Sequence, residues 1–314
     1  MKTQAQRSEP SSGSSREARA QSTARNAVRD ETSGLFEEGE AAPGRTARWA
    51  SEASFFDQMT ARIGARLAPL DPLVVQRYQE ARRSWCNKEF RFQLLGDLRG
   101  QRVLDVGCGE GTNSVLMAKL GAHVTGIDIS SGSIEVCNRR ALLDGVEGRT
   151  KFICSPLETV DFEEGGFDVI WGDGVLHHLI PELPGVMAKL LRWAKPGALF
   201  VFSEPVSLIP ALRRLRAGVP IHTDATPDER PLQKDEVEIV QRALPGLQLR
   251  WFDLFGRLRR FVVKGHFERA SFARRAGVDA LWRLDQALLS VPQLSALGGM
   301  CVMYGHAPGP RPVR

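Results

Sequence analysis

The sequence has few cysteines, and none of them is close enough to another to suggest a shared site. The five cysteines are scattered along 314 residues, and no two have the Cys-x-x-Cys spacing that is typical of zinc sites and redox motifs. An odd, dispersed set does not predict a disulfide framework, and a reducing compartment fits it best. We therefore predict a cytoplasmic protein without a metal site.

Long apolar runs are also missing. The longest candidates, such as 198-ALFVF, have the length of a strand, whereas a membrane-spanning helix requires about 18 apolar residues. This pattern predicts no integral membrane association. Apolar residues nevertheless make up 42% of the chain and charged residues 25%, which is ordinary globular usage and predicts a well-formed core.

The composition changes along the chain and predicts four segments. Residues 1–50 are rich in Ser, Gln, Ala and Arg and predict a disordered tail. Residues 51–100 carry apolar side chains at helical spacing, broken by 69-PLDP, and predict two or three helices that cap the core. The main domain is predicted at 101–307, followed by a tail at 308–314.

After Gly100 the pattern becomes strands that alternate with helices. Strands are predicted at 102–106, 123–129, 151–154, 167–172 and 198–203, and helices at 112–120, 132–143 and 183–194. The apolar and polar alternation of 247–263 and the segment 299-GMCVMYGH predict two more strands. This order predicts an α/β fold with a doubly wound, mainly parallel sheet that is covered on both faces.

A Pro-rich stretch after the fifth predicted strand interrupts this alternation. Residues 206–246 include 222-HTDATPDERPL and a predicted helix at 234–243. An insertion at this point lies at the carboxyl edge of the sheet, where ligands bind, so we predict a lid to which His222 and Asp224 could contribute. The basic and apolar segments 208–219 and 255–264 suggest an anionic or carrier-bound partner, or else a solvated charged face.

The most specific local signal is 103-VLDVGCGEGT, in which a buried strand opens into a glycine-rich turn and a helix. Glycine at positions 107, 109 and 111 lets the backbone pass closely beneath a ligand, and the helix that follows offers unpaired N–H groups. Dinucleotide-binding turns need Gly-x-Gly-x-x-Gly, but here Thr112 stands at the last position. Asp128, which ends the second predicted strand, could accept the ribose hydroxyls of a nucleoside in either kind of site.

With Asp105 two residues before the first glycine, the turn resembles motif I of the class I S-adenosylmethionine-dependent methyltransferases. The segments 167-FDVIWGDGVLHHL and 195-KPGALFVFSEP are similar to later motifs of that family, so the resemblance extends over about 85–307. It implies a Rossmann-like sheet of seven strands with the last one antiparallel, an N-terminal helical cap, a lid after strand five, and S-adenosylmethionine as the cofactor.

The resemblance also implies a set of cofactor contacts. Asp105 and the glycine turn would face the methionine part, Asp128 the ribose and Ile129 the adenine. Many members have an Asp after strand three, where this chain has Pro156, so Leu157 and Glu158, with Ser155, are expected to recognise the adenine instead. Asp173 is expected to orient the cofactor amine or the substrate. The predicted cofactor-binding residues are Asp105, Gly107, Cys108, Gly109, Gly111, Asp128, Ile129, Leu157, Glu158 and Asp173.

The candidate catalytic residues are His177, His178 and Glu204. The two histidines follow strand four and Glu204 ends strand five, so all three are expected at the same edge of the sheet. A histidine with an orienting carboxylate can take the proton of an acceptor hydroxyl, and the sequence does not decide which histidine does so. The alternative for the pair is a structural role in packing or helix capping.

The favoured function is methyl transfer to a small molecule, most simply O-methylation in secondary metabolism. N- or C-methylation of a quinone or lipid-like substrate is the alternative. The segment 171-WGDG lacks the Pro-Pro-aromatic clamp of DNA amino-methylating enzymes, aromatic residues make up only 7% of the chain, and no RNA-binding module is visible, so no nucleic acid partner is predicted. A non-catalytic nucleoside-binding module and an NAD-dependent oxidoreductase are the remaining alternatives.

Overall fold

The computed structural model describes residues 43–210, 229–263, 265 and 267–309. The chain divides into two compact units, Met1–Arg48 and Trp49–Arg314, and the architecture below is that of the second unit. Among the described helices, none combines the length and the apolar composition that crossing a membrane requires. The predicted lid residues His222 and Asp224 lie outside the described residues.

Within the described residues, three helices precede the sheet, where the helical spacing predicts two or three. They are α1 (Pro43–Gly64), α2 (Pro72–Glu80) and α3 (Asn87–Leu95). Asp71 caps α2 by accepting a hydrogen bond from Leu73 N–H, and Pro72 occupies the first turn, where no N–H is needed. Because α1 begins at Pro43, the boundary predicted at residue 50 falls inside this helix.

Seven strands form one mixed sheet, which confirms the predicted fold class. The strands are β1 (Arg102–Val106), β2 (His123–Asp128), β3 (Thr150–Cys154), β4 (Phe167–Asp173), β5 (Ala194–Pro205), β6 (Gln248–Phe252) and β7 (Met300–His306). Their order is β3-β2-β1-β4-β5-β7-β6. β7 runs antiparallel to both β5 and β6, and the remaining pairs are parallel.

Helices cover both faces of this sheet. They are α4 (Thr112–Lys119), α5 (Ser131–Leu143), α6 (Leu183–Trp193), α7 (Lys234–Ala243), α8 (Arg259–Val262), α9 (Phe272–Leu289) and α10 (Pro292–Ser295). The central strands are buried on both sides, because Leu104, Ile170 and Phe200 on one face are fully inaccessible to solvent. The same holds for Val103, Trp171 and Val201 on the other face. This double burial explains the continuous apolar runs of β1, β4 and β5.

Two segments of the last third differ from the sequence expectation. The predicted strand at 247–263 ends at Phe252 and is followed by a 3₁₀ turn, Gly256–Leu258, and by α8. Asp285 of α9 accepts hydrogen bonds from the N–H groups of Phe255 and Gly256 at 2.9 and 2.8 Å, which directs the chain away from the sheet. The second difference is α9 itself, an 18-residue helix that the sequence pattern does not predict.

The predicted lid is described only in part. Val206 forms an isolated parallel bridge with Leu232, and α7 packs against α6 on one face of the sheet. A capping box between Gln233 and Glu236 fixes the start of α7 where the sequence predicts it. The segment between these two parts lies outside the described residues, so the lid stays a prediction.

Candidate active site

A cavity of about 350 Å³ lies at the carboxyl ends of the strands, beside the loops that follow β1, β2, β3 and β4. Strand order reverses there, because β1 is flanked by β2 on one side and by β4 on the other. Ligands of open α/β sheets bind at such a point. The predicted site residues that line the cavity are Gly107, Gly109, Asp128, Ile129, Leu157, Glu158, Asp173, His177 and His178.

The three glycines of the turn all have positive φ, but their surroundings differ. A Cβ on Gly107 would lie 2.5 Å from Val175 Cγ2, and one on Gly111 would lie 2.8 Å from the sulfur of Cys137. A Cβ on Gly109 would meet no protein atom within 4 Å. Gly107 and Gly111 are therefore required by the fold itself, whereas Gly109 borders open space at the cavity wall.

Asp128 lies at the end of β2 with its carboxylate held by backbone. One oxygen accepts a hydrogen bond from Gly109 N–H and the other from Ser130 N–H, both at 2.9 Å. Burial raises the pKa of Asp128 above its ordinary value, although these two N–H bonds lower it. A carboxylate can accept about four hydrogen bonds, so it can still accept two from a ligand in the cavity.

The far end of the cavity is lined by Ile129, Leu157 and Glu158. Leu157 is buried and contributes an apolar wall, while Glu158 accepts a hydrogen bond from Trp49 Nε1 at 3.2 Å. Trp49 also lines the cavity, and sequence reasoning missed it because it lies within the stretch interpreted as a disordered tail. The indole of Trp49 thus provides an aromatic surface beside Glu158 at this end of the cavity.

Three predicted contact residues do not line the cavity: Asp105, Cys108 and Gly111. Asp105 is 1% exposed, and its carboxyl accepts a 2.5 Å hydrogen bond from Ser114 Oγ of α4. Cys108 is buried behind the turn, with its sulfur 3.9 Å from that of Cys137. The side chains of Asp105 and Cys108 support the glycine turn from below, and their predicted part in cofactor binding stays a prediction.

Asp173, at the end of β4, reaches the cavity and makes polar contacts with the helical cap and α4. Its carboxylate lies 2.9 Å from Arg91 Nη1 and accepts a hydrogen bond from Asn113 Nδ2 at 3.0 Å. Burial raises the pKa of Asp173, but the positive charges of Arg91 and Lys88 and the hydrogen bonds outweigh it, so the pKa is lower than usual. Burial in turn lowers the pKa of Lys88 to about 8. Asp173 is therefore ionised at the cavity wall.

His177 is held between two carboxylates. Its Nδ1 lies 2.8 Å from Glu204 Oε2, and its Nε2 lies 2.9 Å from Glu229 Oε1. Burial lowers the pKa of His177, but hydrogen bonds and charge from Glu204 and Glu229 raise it to about 9. With this pKa the ring is protonated at neutral pH, so this histidine can accept a proton only after Glu229 moves away from Nε2 and the Nε2 proton is lost.

Glu204 is fixed from the other side by backbone. Its oxygens accept hydrogen bonds from the N–H groups of Val175 and Leu176 at 2.9 Å and of His177 at 3.3 Å. These three donors begin the 3₁₀ turn Leu176–His178. The carboxylate is completely buried, so it orients His177 and does not reach the cavity.

His178 lines the cavity next to His177. Its ring meets that of Phe56 edge to face at 5.5 Å, and its Nε2 lies 4.0 Å from Glu229 Oε2. Ligand-type atoms of His177, His178 and Glu229 all lie within 4.8 Å of one another. Sequence reasoning missed Glu229, because it stands far along the chain in the predicted lid and no local motif marks it.

Helix α1 forms one wall of the cavity with Phe56, Met59 and Thr60. Asp57 fixes the helix in this place, since its Oδ1 accepts hydrogen bonds from Ser130 Oγ at 2.6 Å and from Gly132 N–H at 2.8 Å. Ser130 is also the N-cap of α5. The cap helix is thus joined to the same strand-to-helix turn that follows Asp128.

Comparisons with known proteins agree with this geometry. A sequence family described as a methyltransferase domain matches residues 97–243. The ubiquinone biosynthesis O-methyltransferase of Alkalilimnicola ehrlichii is 34% identical over 167 residues, covering 49% of this chain and 67% of the relative. That of Bordetella avium is 37% identical over 112 residues, covering 35% of this chain and 45% of the relative.

Among solved structures, the crystal structure of the cyclase SpnF is similar, with a TM-score of 0.52 and 18% identity. The match covers 84% of this chain and 96% of that one, and at this identity it shows the fold alone. With its turn, its sheet order and these relatives, the chain belongs to the class I S-adenosylmethionine-dependent methyltransferases. The predicted family, enzyme class and cofactor are confirmed.

Proposed function

We propose that the chain transfers a methyl group to a hydroxyl of a small molecule, as in the O-methylation of phenolic secondary metabolites. The observation that carries the proposal is His177, which lies at the wall of the cofactor cavity and is oriented by the buried Glu204. The curated relatives support it by their names, since both are O-methyltransferases of ubiquinone biosynthesis. Ubiquinone itself is not implied for this chain.

The residues present fit the cofactor. Gly109 leaves room where a side chain would block the cavity, and Asp128 can accept hydrogen bonds from the two ribose hydroxyls of a nucleoside. Ile129 and Leu157 provide an apolar surface for a purine ring, with Glu158 and Trp49 beside it. We assign Asp173, which is ionised, to the positively charged amine of the methionine part.

S-adenosylmethionine supplies a methyl group on a sulfonium, so the protein has only to align the acceptor, exclude water and take one proton. In the proposal an acceptor hydroxyl replaces Glu229 at Nε2 of His177. Because the pKa of His177 is about 9 while Glu229 is in place, the resting ring is cationic, and its Nε2 proton leaves with Glu229 or to solvent before the hydroxyl proton passes to Nε2. Glu204 then keeps Nδ1 as the donor and holds the ring in place. The acceptor oxygen forms the new bond to the methyl carbon.

The test is an acceptor screen with the full chain and S-adenosylmethionine. Catechol, a dihydroxybenzoate and a hydroquinone are compared with the corresponding aromatic amines, and S-adenosylhomocysteine and the methylated product are measured by mass spectrometry. We expect methylation of hydroxyls. Methylation of the amines alone would redirect the assignment to N-methyl transfer.

The matched variants are His177→Ala and His306→Ala. His306 is exposed at the end of β7 and bonds only backbone among the described residues, at Gly197. We expect His177→Ala to lower kcat by about 100- to 10,000-fold, the usual contribution of a positioned base, and His306→Ala to leave it unchanged. Full turnover by His177→Ala would contradict the assigned role.

A further inference from the structure

The cluster of His177, His178 and Glu229 has the donor set of a metal site. His177 Nε2 lies 2.9 Å from Glu229 Oε1, and His178 Nε2 lies 4.0 Å from Glu229 Oε2. An ion bound about 2.0 to 2.2 Å from each donor allows the donors to lie up to about 4.3 Å apart. Small side-chain movements therefore bring all three donors onto one ion.

The surroundings of His177 strengthen this interpretation. In metal sites the nitrogen of a histidine that does not bind the metal usually donates to a carboxylate, which fixes the tautomer and the ring orientation. His177 Nδ1 has such a partner in Glu204, which is completely buried and accepts hydrogen bonds from three backbone N–H groups. The chain thus directs Nε2 toward Glu229 and the cavity.

The cluster is accessible on its cavity side. The side chains of His178 and Glu229 are 14% and 15% exposed, and all three residues line the cofactor cavity. Two imidazoles and one carboxylate leave at least one coordination position open, as in catalytic rather than structural metal sites. An open position here would face the acceptor.

We propose that His177, His178 and Glu229 bind one first-row divalent transition ion of the Zn²⁺ type. Imidazole donors favour such an ion over Mg²⁺ or Ca²⁺, which prefer oxygen ligands alone. Its role, unlike its binding, rests on the proposed function: an acceptor hydroxyl that binds at the open position releases its proton more readily. With the ion bound, His177 is a ligand and no longer the base, so the acceptor hydroxyl loses its proton to solvent water; the base step proposed above describes the metal-free chain.

Binding is tested without turnover. The full chain is freed of metal with a chelator and titrated with Zn²⁺ in a calorimeter, with Mg²⁺ as the comparison ion. We expect one Zn²⁺ per chain and no comparable binding of Mg²⁺. His178→Ala and Glu229→Gln should each weaken Zn²⁺ binding by at least about 100-fold, and Glu204→Gln by about 10- to 100-fold because it replaces the charged hydrogen-bond acceptor of a ligand by a neutral one.

His123→Ala and Cys154→Ser are the controls, since both side chains are exposed and lie outside the cluster. They should leave Zn²⁺ binding unchanged. Equal affinity in wild type, His178→Ala and Glu229→Gln would mean adventitious binding elsewhere and would overturn the proposal. Absence of Zn²⁺ binding to the wild type would overturn it as well.

A spectroscopic measurement on the wild type avoids variants that fail to fold. X-ray absorption of the zinc-loaded chain should show two imidazole ligands, with oxygen as the other donor. Sulfur in the first coordination shell would instead indicate the cysteines and overturn the site.

The role is tested separately by turnover. The metal-free enzyme should methylate hydroxyls more slowly, because activation of the hydroxyl then depends on His177 alone, and Zn²⁺ should raise the rate. Full turnover without metal would overturn the role, whereas metal binding by a chain that methylates only amines would overturn the proposed function and leave the site in place.

Discussion

Gly107 and Gly109 have similar backbone conformations, with φ of 63° and 52°, but different neighbours. In both, a left-handed backbone makes alanine unfavourable by about 1 to 2 kcal/mol. Only at Gly107 does a Cβ also collide with Val175. The sequence alone does not distinguish the two glycines. The structure shows that the fold requires Gly107, whereas Gly109 leaves room at the site.

We therefore expect Gly107→Ala to reduce the free energy of unfolding clearly more than Gly109→Ala does. Gly109→Ala should instead lower the affinity for S-adenosylhomocysteine. Its added Cβ meets no protein atom and would occupy space at the cavity wall that the ligand needs. Urea denaturation and calorimetric titration measure the two effects. Equal stability losses in both variants would contradict the steric explanation.

Asp105 predicts a pH dependence of stability. Burial raises its pKa to about 7, from the ordinary 3.8, although the hydrogen bond from Ser114 lowers it. Between these two pH values the unfolded chain releases the proton and the folded chain keeps it, so stability falls as the pH rises and is then constant above pH 7. The loss is at most about 4 kcal/mol.

The variant Asp105→Asn should lack this loss, because its amide stays neutral while filling the same space. We expect the free energy of unfolding of the variant, relative to wild type, to increase between pH 4 and pH 8 in urea denaturation. A difference that does not change with pH would mean that Asp105 is ionised in the folded protein.

Prediction of the site from the sequence succeeds where a local motif sets the geometry. The glycine turn, Asp128 and the two histidines lie at strand ends, and parallel strands bring those ends together. It fails for Trp49 and Glu229, which reach the cavity from distant segments. For Asp105 the motif gives the correct location, but not the direction in which its side chain points.

At the scale of elements, helix α1 forms one wall of the cavity, and the carboxylate of Asp57 holds the helix there. Asp57 bonds the N-cap residue of α5 and the N–H of Gly132. We expect Asp57→Ala to weaken S-adenosylhomocysteine binding by about 1 to 3 kcal/mol, the usual effect of losing charged hydrogen bonds, because the helix no longer holds Phe56 and Met59 in place.

Calorimetry measures that affinity, and limited proteolysis should show faster cleavage after α1 in the variant. Glu135→Ala is the control, since this acidic residue lies exposed on α5. If both variants bind equally well, the cap does not depend on Asp57.

The central strands are predictable because they are buried on both faces, which requires continuous apolar runs bounded by turn residues. Helix α9 carries exposed apolar side chains, Phe272 at 80% and Leu284 at 50%, so its sequence shows no clean apolar face. The strand predicted through 263 is shorter because Asp285, a residue of that helix, binds the backbone just after β6. Both differences arise from tertiary contacts that no local pattern encodes.

At the scale of the whole molecule, the sheet and cap form a cofactor site before any acceptor is chosen. The methyltransferase family shares this architecture, whereas the similar fold of SpnF belongs to a protein named as a cyclase. Fold alone therefore does not define the chemistry. The glycine turn and Asp128 are the features that favour S-adenosylmethionine over a dinucleotide. This preference can be tested on the intact chain.

A ligand that binds only the folded chain stabilises it by about 2.7 kcal/mol when its concentration is 100 times Kd. We expect S-adenosylhomocysteine to raise the Tm of the wild type accordingly and NADH to leave it unchanged, because the third glycine of the turn is not where a dinucleotide needs it.

Asp128→Ala should weaken S-adenosylhomocysteine binding by about 1 to 3 kcal/mol, since the ribose hydroxyls lose their acceptor. Differential scanning calorimetry of both proteins measures this. An unchanged shift in Asp128→Ala would exclude the carboxylate from the site, whereas a shift with NADH would show that the turn also accepts a dinucleotide.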